Sequence, residues 1–200
     1  TTLDTKEWSV FVRQSFSPSG NNFGRFYLTA SSSELITNPD GFYLQLGESG
    51  SNDAVRLFKS VSGTETELLA GALGQIASSF SLGIKIIRDD LGNWSLFIDP
   101  DAGINYTLVG TVNDTTNLLG THSGFLQKYT ASNATKFYYD DIYIGNEIVD
   151  LDPPKADSVI VVGADRIDLF FDEDVDSNTV KNLSNYSLDP AISIEMATLD

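Results

Sequence analysis

Two adjacent aspartates, Asp140 and Asp141, interrupt a run of aromatics in Tyr138-Tyr139-Asp140-Asp141-Ile142-Tyr143. Neighbours in a strand face opposite sides, so one of the two carboxylates is expected to point inward. An inward carboxylate must be hydrogen-bonded, ion-paired or bound to a metal. The simpler arrangement is a hydrogen bond to loop amides. The sharper one is a calcium site joining Asp140 or Asp141 to the 49–53 loop, which contributes Asp53, because calcium takes carboxylate and carbonyl oxygens from loops. The candidate metal ligands are therefore Asp140, Asp141 and Asp53, with Ca2+ as the cofactor they fit. A second acidic run, Asp172-x-Asp174-x-Asp176, begins like an EF-hand loop, but Ser177 stands where that loop needs Gly and Leu183 where it needs Glu. It reads as solvated acids.

Other chemistry is thin. Hydrolysis of a glycoside with retention needs two carboxylates about 5–5.5 Å apart across a cleft. The nearest approach is Glu65-Thr66-Glu67, followed by two leucines, which reads as a solvent-facing strand edge. No catalytic constellation stands out, and the chain is expected not to be an enzyme. Aromatics can bind sugar by stacking, and the candidate ligand-binding residues are Tyr43, Tyr106, Tyr129 and Tyr138. Trp94 shares a face with Leu96 and Ile98 and is read as core. His122, in Thr121-His122-Ser123-Gly124, is read as a surface loop residue without a partner.

Composition narrows the classes. The 200 residues carry 12 Lys and Arg against 28 Asp and Glu, a net charge of −16. Such a surface repels phosphate backbones and anionic membranes, so neither nucleic acid nor membrane insertion is expected. There is no cysteine and a single histidine. Disulfides, thiol catalysis, Cys-ligated zinc and multi-His metal sites are thereby excluded. No apolar run approaches the roughly 18 residues of a membrane span. The opening residues, TTLDTKEW, lack the pattern of a signal peptide, so a targeting segment is expected to have been removed or to lie outside this stretch.

These residues need strands to position them. The organising stretch is IKIIRDDLGNWSLFID, residues 84–99, where Ile84 and Ile86 alternate before an Asp/Gly/Asn cluster and Trp94, Leu96 and Ile98 alternate after it. That is a strand–turn–strand pattern, and its apolar face needs a second layer. Similar runs recur: WSVFVRQSF, RFYLTA, FYLQLGE, AVRLFKSV, TELLAG, INYTLVGTV, GFLQKYTA and KFYYDDIYIG. Turn residues separate them. Residues 71–79 are weakly patterned and read as a short helix or a surface crossover. About ten strands with tight turns predict an all-β protein, an antiparallel sandwich or barrel.

The pattern changes at EIVDLDPPK. The expected organisation is a β-sandwich over residues 1–146, a linker over 147–156, and a second unit over 157–200 that reads as strand, strand and a short turn or helix. An immunoglobulin-type sandwich needs about 100 residues, so the second unit is expected to be partial.

The run FSPSGNNFGRFYL, then GFYLQLGESGSNDAVRLFK, then IIRDDLGNWSLFID, then YTASNATKFYYDDIYIG resembles a concanavalin-A/laminin-G-like jelly-roll module of Bacteroidetes secreted or surface proteins. The resemblance covers roughly residues 8–145. In that family further strands precede the position of Trp8, so residues 1–7 stand in for one of them or those strands are missing. Laminarinase-like members on this fold carry E-x-D-x-x-E on one strand, and this chain has no such motif. The second unit resembles a bacterial Ig-like module through Pro153-Pro154, Phe171, Glu173, Val175-Asp176 and Asn185-Tyr186. Together these imply a non-catalytic binding or adhesion module of a secreted or cell-surface protein, directed at a glycan or surface polymer. They also imply export by the type IX route, with further domains of a longer chain or a secretion component as partners. The alternatives are a structural spacer without a ligand and, behind it, a glycoside-active enzyme.

Overall fold

A computed structural model describes residues 5–118, 120–149 and 151–199. Two units divide the chain, Thr1–Ile148 and Val149–Asp200. In the first, the hairpin β6 (Phe80–Arg88) and β7 (Asn93–Asp99) forms in the expected register, with Ile84 opposite Ile98 and Ile86 opposite Leu96. The turn closes because Asp89 Oδ1 accepts from the Leu91 and Asn93 amides at 2.9 and 2.8 Å, and Gly92 takes a φ of 82° that a side chain would resist.

β1 (Lys6–Gln14) pairs with β6, β8 (Thr107–Asn113) with β7, and β10 (Phe137–Gly145) with β1, giving one five-stranded sheet in the order β10-β1-β6-β7-β8. The other five-stranded sheet runs β5-β4-β3-β2-β9, from β2 (Phe23–Ala30), β3 (Gly41–Leu46), β4 (Val55–Val61), β5 (Thr64–Ala70) and β9 (His122–Lys128). Every pairing is antiparallel. The first unit is an all-β antiparallel sandwich of the jelly-roll kind. Residues 71–79 make turns and bends, with no helix.

The inward phase of each strand supplies the core: Trp8, Val10 and Val12 from β1, Phe26 and Leu28 from β2, Phe42, Leu44 and Leu46 from β3, and Trp94, Leu96 and Ile98 from β7. Burying each such side chain is worth about 2 kcal/mol. Trp94 stacks with Trp8 at 5.7 Å and meets Phe42 of the opposite sheet at 4.5 Å. Polar ties also cross between sheets. Trp8 Nε1 donates to Leu28 O at 2.9 Å, and the Lys59 ammonium pairs with Asp114.

The second unit contains β11 (Ala156–Val161) paired with β12 (Ile167–Phe171), then α1 (Ser177–Lys181). Asp176 caps α1, its Oδ1 accepting from Thr179 N at 2.8 Å, and Asp172 Oδ1 accepts from Lys155 N at 2.8 Å. The acidic run thus organises its own backbone. The described residues hold two strands here, fewer than the seven of an Ig sandwich. Among the described residues no helix is long and apolar enough to cross a membrane.

Candidate ligand-binding face

Each sheet has an outer face made from the residues that alternate with the core set, and the two outer faces differ. On the β5-β4-β3-β2-β9 sheet the outer phase carries Tyr27, Tyr43 and Phe58, opposite one another in register. Segment 31–40 crosses this face and brings Leu35 onto it. Leu35, Phe58 and Leu126 pack around Tyr27, Ala30 and Tyr43, which are fully buried. Arg25 closes the rest: its guanidinium lies 4.4 Å from the Tyr43 ring centre, with Nε donating to Gln45 Oε1 and Nη1 to Glu65 Oε1, both at 2.7 Å. Tyr43, expected as an exposed stacking residue, is therefore core-like, and burial pushes its phenol well above the usual range.

The outer face of the β10-β1-β6-β7-β8 sheet is built differently. One cross-strand row reads Tyr143, Ser9, Lys85, Phe97, Leu108. The next reads Asp140, Phe11, Gly83, Asp99, and beyond it Tyr138 stands opposite Arg13. The Arg13 guanidinium sits 4.0 Å from the Tyr138 ring centre. Asp99 is buried and pins the connection to β8: its Oδ1 accepts from Asp101 N and its Oδ2 from Asn105 N, both at 2.8 Å. This Asx-type turn returns the chain over its own sheet and lays Tyr106 beside Lys85. The Lys85 ammonium lies 4.9 Å from the Tyr106 ring centre and 5.0 Å from that of Phe97. Burial pushes the Tyr106 phenol up, and the carboxylates of Glu7, Asp99 and Asp141 push it further.

Among the described residues, neither Lys85 nor Arg13 is in a salt bridge. Both instead hold aromatic rings. The face thus combines rings, one ammonium, a serine hydroxyl and carboxylates. Rings accept the apolar C–H side of a pyranose, and the polar groups can hydrogen-bond its hydroxyls.

Tyr106, Tyr138, Asp140 and Asp141 all belong to this region. The expected inward carboxylate is absent: β10 slips against β1 between Ser9 and Phe11, so Asp141 sits in a bulge with φ 49° and both aspartates are exposed. An inserted residue resets the alternation that the inward reading relied on. Asp140 Oδ1 accepts from the Asp141 amide at 2.9 Å. Asp53 lies instead in the β3–β4 connection of the other sheet and is fully buried, whereas Asp140 and Asp141 are exposed on β10. Among the described residues, no three or more His, Asp or Glu gather closely enough to hold a metal. Tyr129 is 51% exposed beyond the end of β9, its ring 6.0 Å from Phe137, and is not in the rows above. His122 opens β9, and its Nδ1 is 2.8 Å from Thr121 Oγ1, so it is a strand residue with a partner.

Phe11, Lys85, Phe97 and Tyr143 were not singled out from sequence. A signal was present for Phe97, which occupies the phase opposite Leu96 and Ile98, where a polar residue such as its cross-strand partner Lys85 is the ordinary choice.

No protein-family model matches the chain, and no curated protein matches it in sequence. Among solved structures, the Ruminococcus gnavus IT-sialidase CBM40 bound to alpha2,6 sialyllactose is similar, with a TM-score of 0.43 and 10% identity over 75% of this chain and 80% of that chain.

Proposed function

We propose that the first unit is a non-catalytic glycan-binding module that takes its ligand on the outer face of the β10-β1-β6-β7-β8 sheet. The observation that carries this reading is the placement of Tyr106 and Phe97 around Lys85 on that face, while the opposite outer face is covered by Leu35. Tyr106 and Phe97 form the apolar platform. Lys85 orients both rings. Ser9, Asp140 and Asp141 supply hydrogen-bonding groups for sugar hydroxyls. Glu65 and Glu67 support the non-catalytic part of the reading, since Arg25 holds one at 2.7 Å and Arg56 the other at 3.0 Å at the sheet edge. Placement in a secreted or cell-surface protein rests on the family resemblance and accords with the acidic composition.

Affinity electrophoresis against a panel of polysaccharides tests this. At least one polymer is expected to retard the wild type and the Tyr129→Ala variant, but not Tyr106→Ala. If no polymer retards the wild type, or Tyr106→Ala is retarded equally, the assignment fails and the spacer reading replaces it.

A further inference from the structure

We infer that the face around Phe11 selects a glycan carrying protonated amines, a hexosamine without its acyl group, with the sugar ring on Phe11 and its ammonium against Asp140 and Asp141. This rests on the glycan reading of that face and names the class of sugar it takes.

Phe11 lies on the outer phase of β1, half-buried, opposite Asp140 of β10 and Gly83 of β6. Neighbouring strands run about 4.8 Å apart, so Asp140 and Gly83 stand roughly 10 Å from each other across β1. Gly83 has no side chain, and Tyr106 closes over it: a Cβ there would lie 3.3 Å from Tyr106 Cε1. Phe11 is thus a floor, with a phenol ring on one side and the aspartate pair on the other. A single pyranose has room to stack on the floor and abut the second ring.

Charge decides which pyranose. Asp140 and Asp141 are both exposed, and among the described residues neither is in a salt bridge. The Asp141 amide donates to Asp140 Oδ1 within the pair itself. The cations of this face are held elsewhere, Arg13 against the Tyr138 ring and Lys85 against Phe97 and Tyr106. Two adjacent carboxylates are therefore left without a paired counter-charge. Their field reaches the platform: burial pushes the Tyr106 phenol up, and Asp141, with Glu7 and Asp99, pushes it further. A sugar carboxylate seated on Phe11 would meet that repulsion, and an ammonium would relieve it. The rings attract the ammonium as well, through its charge. Two carboxylates are too few for a bare metal ion, and among the described residues no third His, Asp or Glu joins them. A sugar ring supplies by stacking what the pair lacks.

Isothermal titration of the whole chain with three cellulose-type hexamers, of glucosamine, N-acetylglucosamine and glucuronic acid, tests this. They share one backbone and differ in charge. At about pH 6 amines are protonated and carboxylates ionised. The glucosamine hexamer is expected to bind about tenfold more tightly than the acetylated one, as two exposed charge pairs allow, and the glucuronic acid hexamer not at all. The double variant Asp140→Asn, Asp141→Asn should bind the first two equally. Glu34→Gln removes an exposed charge from segment 31–40 and should keep the full preference, which separates this site from general attraction to a chain of net charge −16. Equal binding of the first two hexamers by the wild type, or tightest binding of glucuronic acid, overturns the amine assignment and leaves the glycan reading standing. So does a preference that survives in the double variant or disappears in Glu34→Gln. If no hexamer binds, the amine assignment also fails, and the polysaccharide panel then decides the glycan reading by itself.

Discussion

The Lys85 ammonium lies 4.9 Å from the centre of the Tyr106 ring. Lys85 is fixed by β6, whereas Tyr106 precedes β8 and reaches the face only because the connection after Asp99 turns back over the sheet. The platform therefore depends on how closely that connection can approach β6.

Gly83 sets that approach. A Cβ there would lie 2.5 Å from Gly103 O and 3.3 Å from Tyr106 Cε1. Gly83→Ala is expected to fold with a loss of about 1–3 kcal/mol, the range for overpacking, and to lose sugar retardation as fully as Tyr106→Ala. Urea unfolding and affinity electrophoresis measure the two effects. Wild-type retardation in Gly83→Ala would show that the connection does not hold the platform.

Acid is expected to loosen the tie between the sheets at Lys59 and Asp114. Burial alone would push the Asp114 carboxyl up, but hydrogen bonds from Lys59 and Thr116, with the Lys59 charge, outweigh it and hold the carboxyl below the usual range. As pH falls, the unfolded chain takes up this proton first. The stabilisation is complete above about pH 4 and is lost as pH falls through the lower folded value. Urea midpoints between pH 6 and pH 3 should fall less steeply in Asp114→Asn than in the wild type. Equal slopes would remove Asp114 from the acid response.

The alkaline limb has its own residue. Burial pushes the Tyr139 phenol up to about 12, with Gln127 pulling the other way from outside hydrogen-bond geometry. The unfolded chain loses this proton near the ordinary value of about 10. Stability is thus complete below about pH 10 and declines as pH rises toward the folded value. Tyr139→Phe is expected to match or exceed the wild type at neutral pH, by up to about 1 kcal/mol, because it removes a buried hydroxyl without a bond. It should also flatten the alkaline decline in unfolding midpoint. A decline as steep as that of the wild type would reassign it to other tyrosines.

Much of the fold was legible in local pattern. Trp94, Leu96 and Ile98 share the buried phase of β7 as their spacing indicates, and the Asp89–Asn93 cluster closes the hairpin. The candidate site was half legible. Tyr106 and Tyr138 were found as aromatics, but nothing local separates them from Tyr43, which has the same residue type and a similar strand context. Asp140 and Asp141 were noticed for their type, yet their direction was misread, because a bulge depends on the partner strand.

By itself, the sequence determined the strands, their turns and which residues share a side of each strand. A period of two is a property of the extended backbone and needs no neighbour to express it. Tertiary structure alone decided which outer face is covered. Leu35 in segment 31–40 reaches the buried cluster of Tyr27, Ala30 and Tyr43, and Tyr106 reaches Lys85 across the connection that Asp99 anchors. Both placements join residues from connections to residues on strands, and where a connection lies is set by the packing of the whole sandwich rather than by the alternation of any strand in it.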